Sequence, residues 1–112
     1  TQAAVMLRYY LAMIQIYYLD QAREAIKNLL FCLQKKPAMP EFWCLLGDIY
    51  YQLKDYKKSI SFYENAIFLG ERHLSSDKWP MDISKYREHP QKMMTSAIKI
   101  LEETQVYRQI RT

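Results

Sequence analysis

Apolar residues recur along this chain at the three- and four-residue spacing of amphipathic helices, with polar or proline-containing breaks between them. The clearest stretch covers residues 40–69, PEFWCLLGDIYYQLKDYKKSISFYENAIFL. Trp43, Leu46 and Tyr50 stand at i, i+3 and i+7 and form one apolar stripe on a first helix. Asp55 fits the turn that follows, and Ser59, Tyr63 and Ala66 mark the inner face of a second helix. Upstream, AAVMLRYYLAMIQIYYL is apolar around most of its circumference, which predicts a helix buried on two sides. Downstream, SSDKWPMDISKYREHP reads as an irregular connection with Ser–Ser–Asp and Trp–Pro as breakers. Pro90 suits the first turn of a last helix. Met93, Met94, Ala97, Ile98, Leu101, Val106 and Ile110 give that helix its stripe, with Lys92, Lys99, Glu102, Glu103 and Arg108 largely outside.

Each residue of the central unit has a mechanical reason. Gly47 has no Cβ, so a neighbouring helix backbone can approach beside the stripe. Ser59 and Ala66 are small where the second helix crosses the first, and Tyr63 fills the gap between them. The spacing W-x2-L-G-x2-Y, then a small residue, an aromatic and an alanine, resembles the tetratricopeptide repeat. Stepping back by its period of ~34 residues pairs Tyr9 with Trp43, Ile16 with Tyr50, Leu19 with Leu53, Ala25 with Ser59, Leu29 with Tyr63 and Cys32 with Ala66. Ala12 and Met13 replace the Leu–Gly pair, so the first copy is degenerate. The expected fold is all-α: antiparallel helix pairs stacked as a short α-solenoid, closed by a C-terminal capping helix. The expected divisions of this single domain are a degenerate repeat at 6–39, a full repeat at 40–73, an irregular connection at 74–89 and the capping helix at 90–112. Gly70 could end the second helix of the repeat, but Leu74 continues its face, which favours a helix running to about Leu74.

Composition narrows the function class. Two glycines and four prolines, three of them at Pro37, Pro40 and Pro90, agree with helices and boundaries. The chain begins at Thr1 without an initiator methionine, which points to a piece of a longer protein. Cys32 and Cys44 both fall within helices and read as structural thiols of a reducing, cytoplasmic compartment. Arg8 and Gln15 interrupt the first apolar run, which argues against a membrane span. The net charge of +4 is scattered rather than lined along one helix, so no nucleic-acid footprint appears.

Catalytic signals are missing from the sequence pattern. Gly47 and Gly70 are isolated and make no phosphate-cradling loop. His73 and His89 pair with no cysteine at zinc-like spacing and read as surface histidines. Cys44 has no sequence-near base to activate it as a nucleophile. Asp48, Asp55, Glu64 and Asp77 read as solvated positions and turn residues rather than an acid–base pair. The expectation is a non-catalytic chain with no cofactor and no metal.

The tetratricopeptide resemblance implies that the first helix of each repeat lines a concave surface. On this chain that points to Leu7, Tyr10, Ile14 and Tyr17 from the first repeat, and to Glu41, Cys44, Asp48 and Tyr51 from the second. The subgroup that grips peptide carboxylates puts Lys, Arg and Asn at such positions; here they are aromatic, aliphatic or acidic. A tyrosine-rich groove suits a protein or peptide segment, a neighbouring domain or a second copy of the chain. Equally, these residues could contact a third helix of the same chain. The tail DKWPMDISKYREHP, behind GDIYYQLKDYKKSISFYENAI, is similar to the repeat-bearing C-terminal region of family 2 glycosyltransferases. That second resemblance implies a non-catalytic domain aiding acceptor binding or dimerisation.

Overall fold

A computed structural model describes residues 1–72 and 87–111. Among them the chain is all-helical: α1 is Gln2–Tyr17, α2 Ala22–Lys35, α3 Pro40–Gln52, α4 Tyr56–Arg72 and α5 Glu88–Arg111. Local chemistry sets the helix ends. Thr1 accepts a hydrogen bond from the Ala4 N–H at 3.2 Å, so α1 starts ahead of the apolar run. Pro40 occupies the first turn of α3, where its missing N–H removes no helical bond. Between α3 and α4, Lys54 adopts a left-handed φ of 63°, and Asp55 Oδ1 accepts from the Lys58 N–H at 3.3 Å. Asp20 turns the chain between α1 and α2 with a φ of 54°.

The helices form two antiparallel pairs, α1 with α2 and α3 with α4, and α5 lies against α4. In the first pair the Cys32 thiol donates to the Val5 carbonyl at 3.4 Å. Arg8 donates to Asn28 Oδ1 at 2.9 Å, and Asn28 Nδ2 donates to Gln15 Oε1 at 2.8 Å. The two residues that interrupt the apolar run of α1 are therefore paired with α2, which offsets the penalty of burying amide groups. The main core joins Val5, Tyr9, Ala12 and Ile16 of α1 to Ala25, Leu29 and Cys32 of α2 and to Phe42, Leu45, Leu46 and Ile49 of α3. Cys44, Tyr63 and Ala66 make a second cluster, closed by Trp43, Met93 and Met94. Ala25, Leu29 and Cys32 are buried in α2 just as Ser59, Tyr63 and Ala66 are buried in α4.

Three expectations change. Only one face of α1 is buried; Leu7, Tyr10, Leu11, Ile14 and Tyr17 are exposed on the other, as is Tyr18 at the cap. The reason is that α2 and α3 approach α1 from the same side. The last helix begins at Glu88, two residues inside the segment expected to be irregular. Along it, Met93, Met94, Ala97 and Leu101 are covered to different degrees, but Ile98 turns outward. Gly70 lies inside α4, which continues to Arg72; Leu74, His73 and Asp77 fall outside the described residues, as do the side chains of Val106 and Ile110. No described helix is long and apolar enough to cross a membrane.

Candidate functional site

Glu41, Cys44 and Asp48 recur on α3 at spacings of three and four, so they share one face of that helix. That face is covered, not open: Glu41, Cys44 and Asp48 are all buried. Expected as groove-lining residues, and Asp48 also as a solvated carboxylate, they sit beneath neighbouring helices. Asp48 is the centre of the arrangement. The Tyr17 hydroxyl of α1 donates to Oδ2 at 2.5 Å, and the Tyr63 hydroxyl of α4 donates to Oδ1. His89 of α5 brings Nε2 to 2.7 Å from Oδ1. One carboxylate thus receives contacts from three other helices, and a buried acidic group survives because its oxygens are satisfied.

The electrostatics follow from that geometry. Burial, reinforced by the Asp48 charge beside them, pushes the hydroxyls of Tyr17 and Tyr63 well above the usual tyrosine range. Both remain protonated donors at any ordinary pH. His89, expected at the surface, is a half-buried member of the cluster, and its ring meets that of Tyr63 edge-on at 6.2 Å. Cys44 Sγ completes the group: sulfur, an Asp48 oxygen and a His89 ring nitrogen all lie within 4.8 Å of one another.

The remaining expected site residues divide. Leu7, Tyr10 and Ile14 are exposed on α1, while Tyr17 shares its exposure with the bond to Asp48. Tyr51 is half-buried, its hydroxyl 2.8 Å from Ser96 Oγ of α5. Of the expected groove, Cys44, Asp48 and Tyr51 of α3 therefore lie against α5, Glu41 is buried, and Leu7, Tyr10 and Ile14 of α1 are open. Of the repeat-signature residues, Leu46, Gly47, Ser59, Tyr63 and Ala66 are buried, and Trp43 and Tyr50 are half-buried against Phe62. Gly47 makes room for a ring rather than a backbone: a Cβ there would lie 2.5, 2.6 and 2.8 Å from Tyr63 Cε1, Cδ1 and Cζ. Ser59 Oγ donates to the Gly47 carbonyl at 2.8 Å across the same crossing.

Residues 40–67 are a tetratricopeptide repeat, matching that family over those residues. No curated protein matches the chain. The match covers α3 and most of α4, and it gives the glycosyltransferase-like tail no support. Within the repeat, Gly47, Ser59 and Tyr63 form the helix crossing, while Cys44 and Asp48 project from α3 toward α5. The residue that sequence reasoning missed is His89. Its only signal was its place beside Pro90 at the start of a helix, and nothing in the linear order connects it to a carboxylate 41 positions earlier.

Proposed function

We propose that this chain is a non-catalytic protein-binding module, and that its contact surface is the open face of α1. A tetratricopeptide repeat supports the general class, because such units present helix faces to other polypeptides and stack with neighbours. One observation carries the finer reading: Leu7, Tyr10, Leu11 and Ile14 are exposed together on a single helix, with Tyr18 exposed at its C-terminal cap. Apolar patches beyond a few hundred Å² on a protein surface mark interaction sites. Tyrosines suit such a surface, since they add large, stiff area with a polar tip. The partner is an apolar protein surface, whether a polypeptide segment, a neighbouring domain or a second copy of this chain. The two buried thiols support a reducing, cytoplasmic setting.

Sedimentation equilibrium at several concentrations tests the reading. Self-association that disappears in Tyr10→Lys/Ile14→Lys is the expected result, accompanied by improved solubility. A monomeric chain whose solubility is unchanged by both lysines would refute it.

A further inference from the structure

We propose that Cys44, Asp48 and His89 form a binding site for a divalent transition metal of the zinc class. The first argument is the donor set. A thiol sulfur, a carboxylate oxygen and an imidazole nitrogen converge within 4.8 Å of one another. Sulfur and nitrogen donors select zinc-like ions over magnesium or calcium, which prefer all-oxygen shells. Three protein ligands and one remaining position are the arrangement of an open zinc site.

The second argument is how the donors are held. Cys44 and Asp48 are four residues apart on α3, so one helix presents two ligands to the same point. His89 enters from the first turn of α5, and its partial exposure gives an ion a route to an otherwise buried position. Tetrahedral zinc with bonds of ~2.0–2.3 Å sets its ligand atoms about 3.3–3.8 Å apart. The Nε2–Oδ1 separation of 2.7 Å would open slightly as the cation takes the place of the hydrogen now shared between them. The sulfur, within 4.8 Å of the other two donors, would have to close by up to about 1–1.5 Å.

Outer hydrogen bonds are already in place. Metal-binding carboxylates are commonly oriented by further donors, and Tyr17 and Tyr63 both donate to Asp48. Binding is an exchange of protons for metal: the Cys44 S–H bond breaks and its proton leaves to solvent as the S–metal bond forms. The proton that His89 shares with Asp48 leaves Nε2 for solvent while Nδ1 takes one up, so the ring ligates through Nε2 as a neutral imidazole and the net proton released is the thiol's. No oxidation state changes. The occupied site would cross-link α3 to α5, with α1 and α4 held through the tyrosines.

Titration of the reduced full chain with cobalt(II), followed by zinc(II), tests the proposal. One equivalent of cobalt should give a thiolate-to-cobalt charge-transfer band and the visible bands of tetrahedral coordination, and zinc should remove both. Stoichiometric zinc should also raise the melting temperature, because it binds the folded chain preferentially. Cys44→Ser should abolish the charge-transfer band. His89→Gln keeps a neutral donor near Asp48 yet removes the imidazole, so it should fold and bind cobalt poorly. Tyr17→Phe should weaken binding by about 10–100-fold, the usual effect of losing an outer hydrogen bond. A wild-type chain with no cobalt spectrum and an unshifted melting temperature would overturn the site and leave the cluster as a hydrogen-bonded junction. Charge-transfer bands that persist in Cys44→Ser would overturn it equally, by placing the thiolate elsewhere.

Discussion

Replacing Gly47 with alanine adds a single methyl group at the most crowded point of the repeat. That carbon would meet three atoms of the Tyr63 ring at 2.5–2.8 Å. Carbon atoms attract one another at ~3.5–4.0 Å, so the ring has to retreat by about 1 Å. It has little freedom to do so: Tyr63 is fully buried and its hydroxyl is bonded to Asp48. Overpacking of this kind costs ~1–3 kcal/mol. If the retreat also stretches the bond to the Asp48 carboxylate, up to ~1.5–3 kcal/mol more is lost. Alanine returns ~1 kcal/mol through its better helix propensity, so the net destabilisation should be up to ~2 kcal/mol from overpacking alone and ~1.5–5 kcal/mol when the bond is lost as well. In a chain of this size that lowers the melting temperature by on the order of 10 °C. Urea denaturation followed by far-ultraviolet circular dichroism measures it. The same substitution in a Tyr63→Leu background should be neutral or stabilising, since the obstacle has gone and the propensity gain remains. A Gly47→Ala chain as stable as the parent, or the same loss in both backgrounds, would refute the steric account.

Asp48→Ala should destabilise the chain by ~1–3 kcal/mol for each buried donor left without an acceptor, read by urea denaturation, with Asp48→Asn milder. Raising the pH should weaken the fold from about 10, the ordinary tyrosine value, upward: the unfolded chain ionises Tyr63 there, while the folded chain keeps it protonated. The stabilisation is fully present below that pH, and its loss should follow a slope of ~1.4 kcal/mol per pH unit. Tyr63→Phe should make this part of the stability–pH curve shallower, leaving the share that Tyr17 contributes in the same way, and an unchanged slope would count against it. The Cys32 thiol, buried and pushed up to about 11 chiefly by that burial, should resist disulfide-exchange reagents in the native state. In a Cys44→Ala variant its labelling should keep pace with unfolding; rapid labelling of the folded chain would show α1 and α2 to be less tightly joined.

The helical repeat was legible because its signal is local. Periodicity along α3 and α4 depends on residues a few positions apart, and Trp43, Gly47, Ser59 and Tyr63 carry recognisable shapes at fixed spacing. The face of α1 was harder to place, because a helix apolar nearly all round gives no indication of which side its neighbours take. Arg8 and Gln15 mark the inner side only once Asn28 is seen to meet both. Asp48 was misplaced for a related reason. Between Gly47 and Ile49 a lone carboxylate looks like a polar position on a helix surface, and the donors that permit its burial arrive from Tyr17, Tyr63 and His89 on three separate helices. Ile98 erred the other way: it sits beside Ala97 in sequence but about 100° around the helix from it, beyond the strip that α4 covers.

Helical repeats stack in a line, and their stability is ordinarily a sum over adjacent units, so either end can peel away on its own. Asp48 works against that behaviour here. Detaching α1 removes Tyr17 from the carboxylate, and detaching α5 removes His89 from the same group, so loosening one end weakens the anchorage of the other. The two extremities of the chain are energetic neighbours although they are far apart in sequence. Hydrogen exchange should accordingly find α1 and α5 opening together, a cooperative unit that skips over the order of the helices.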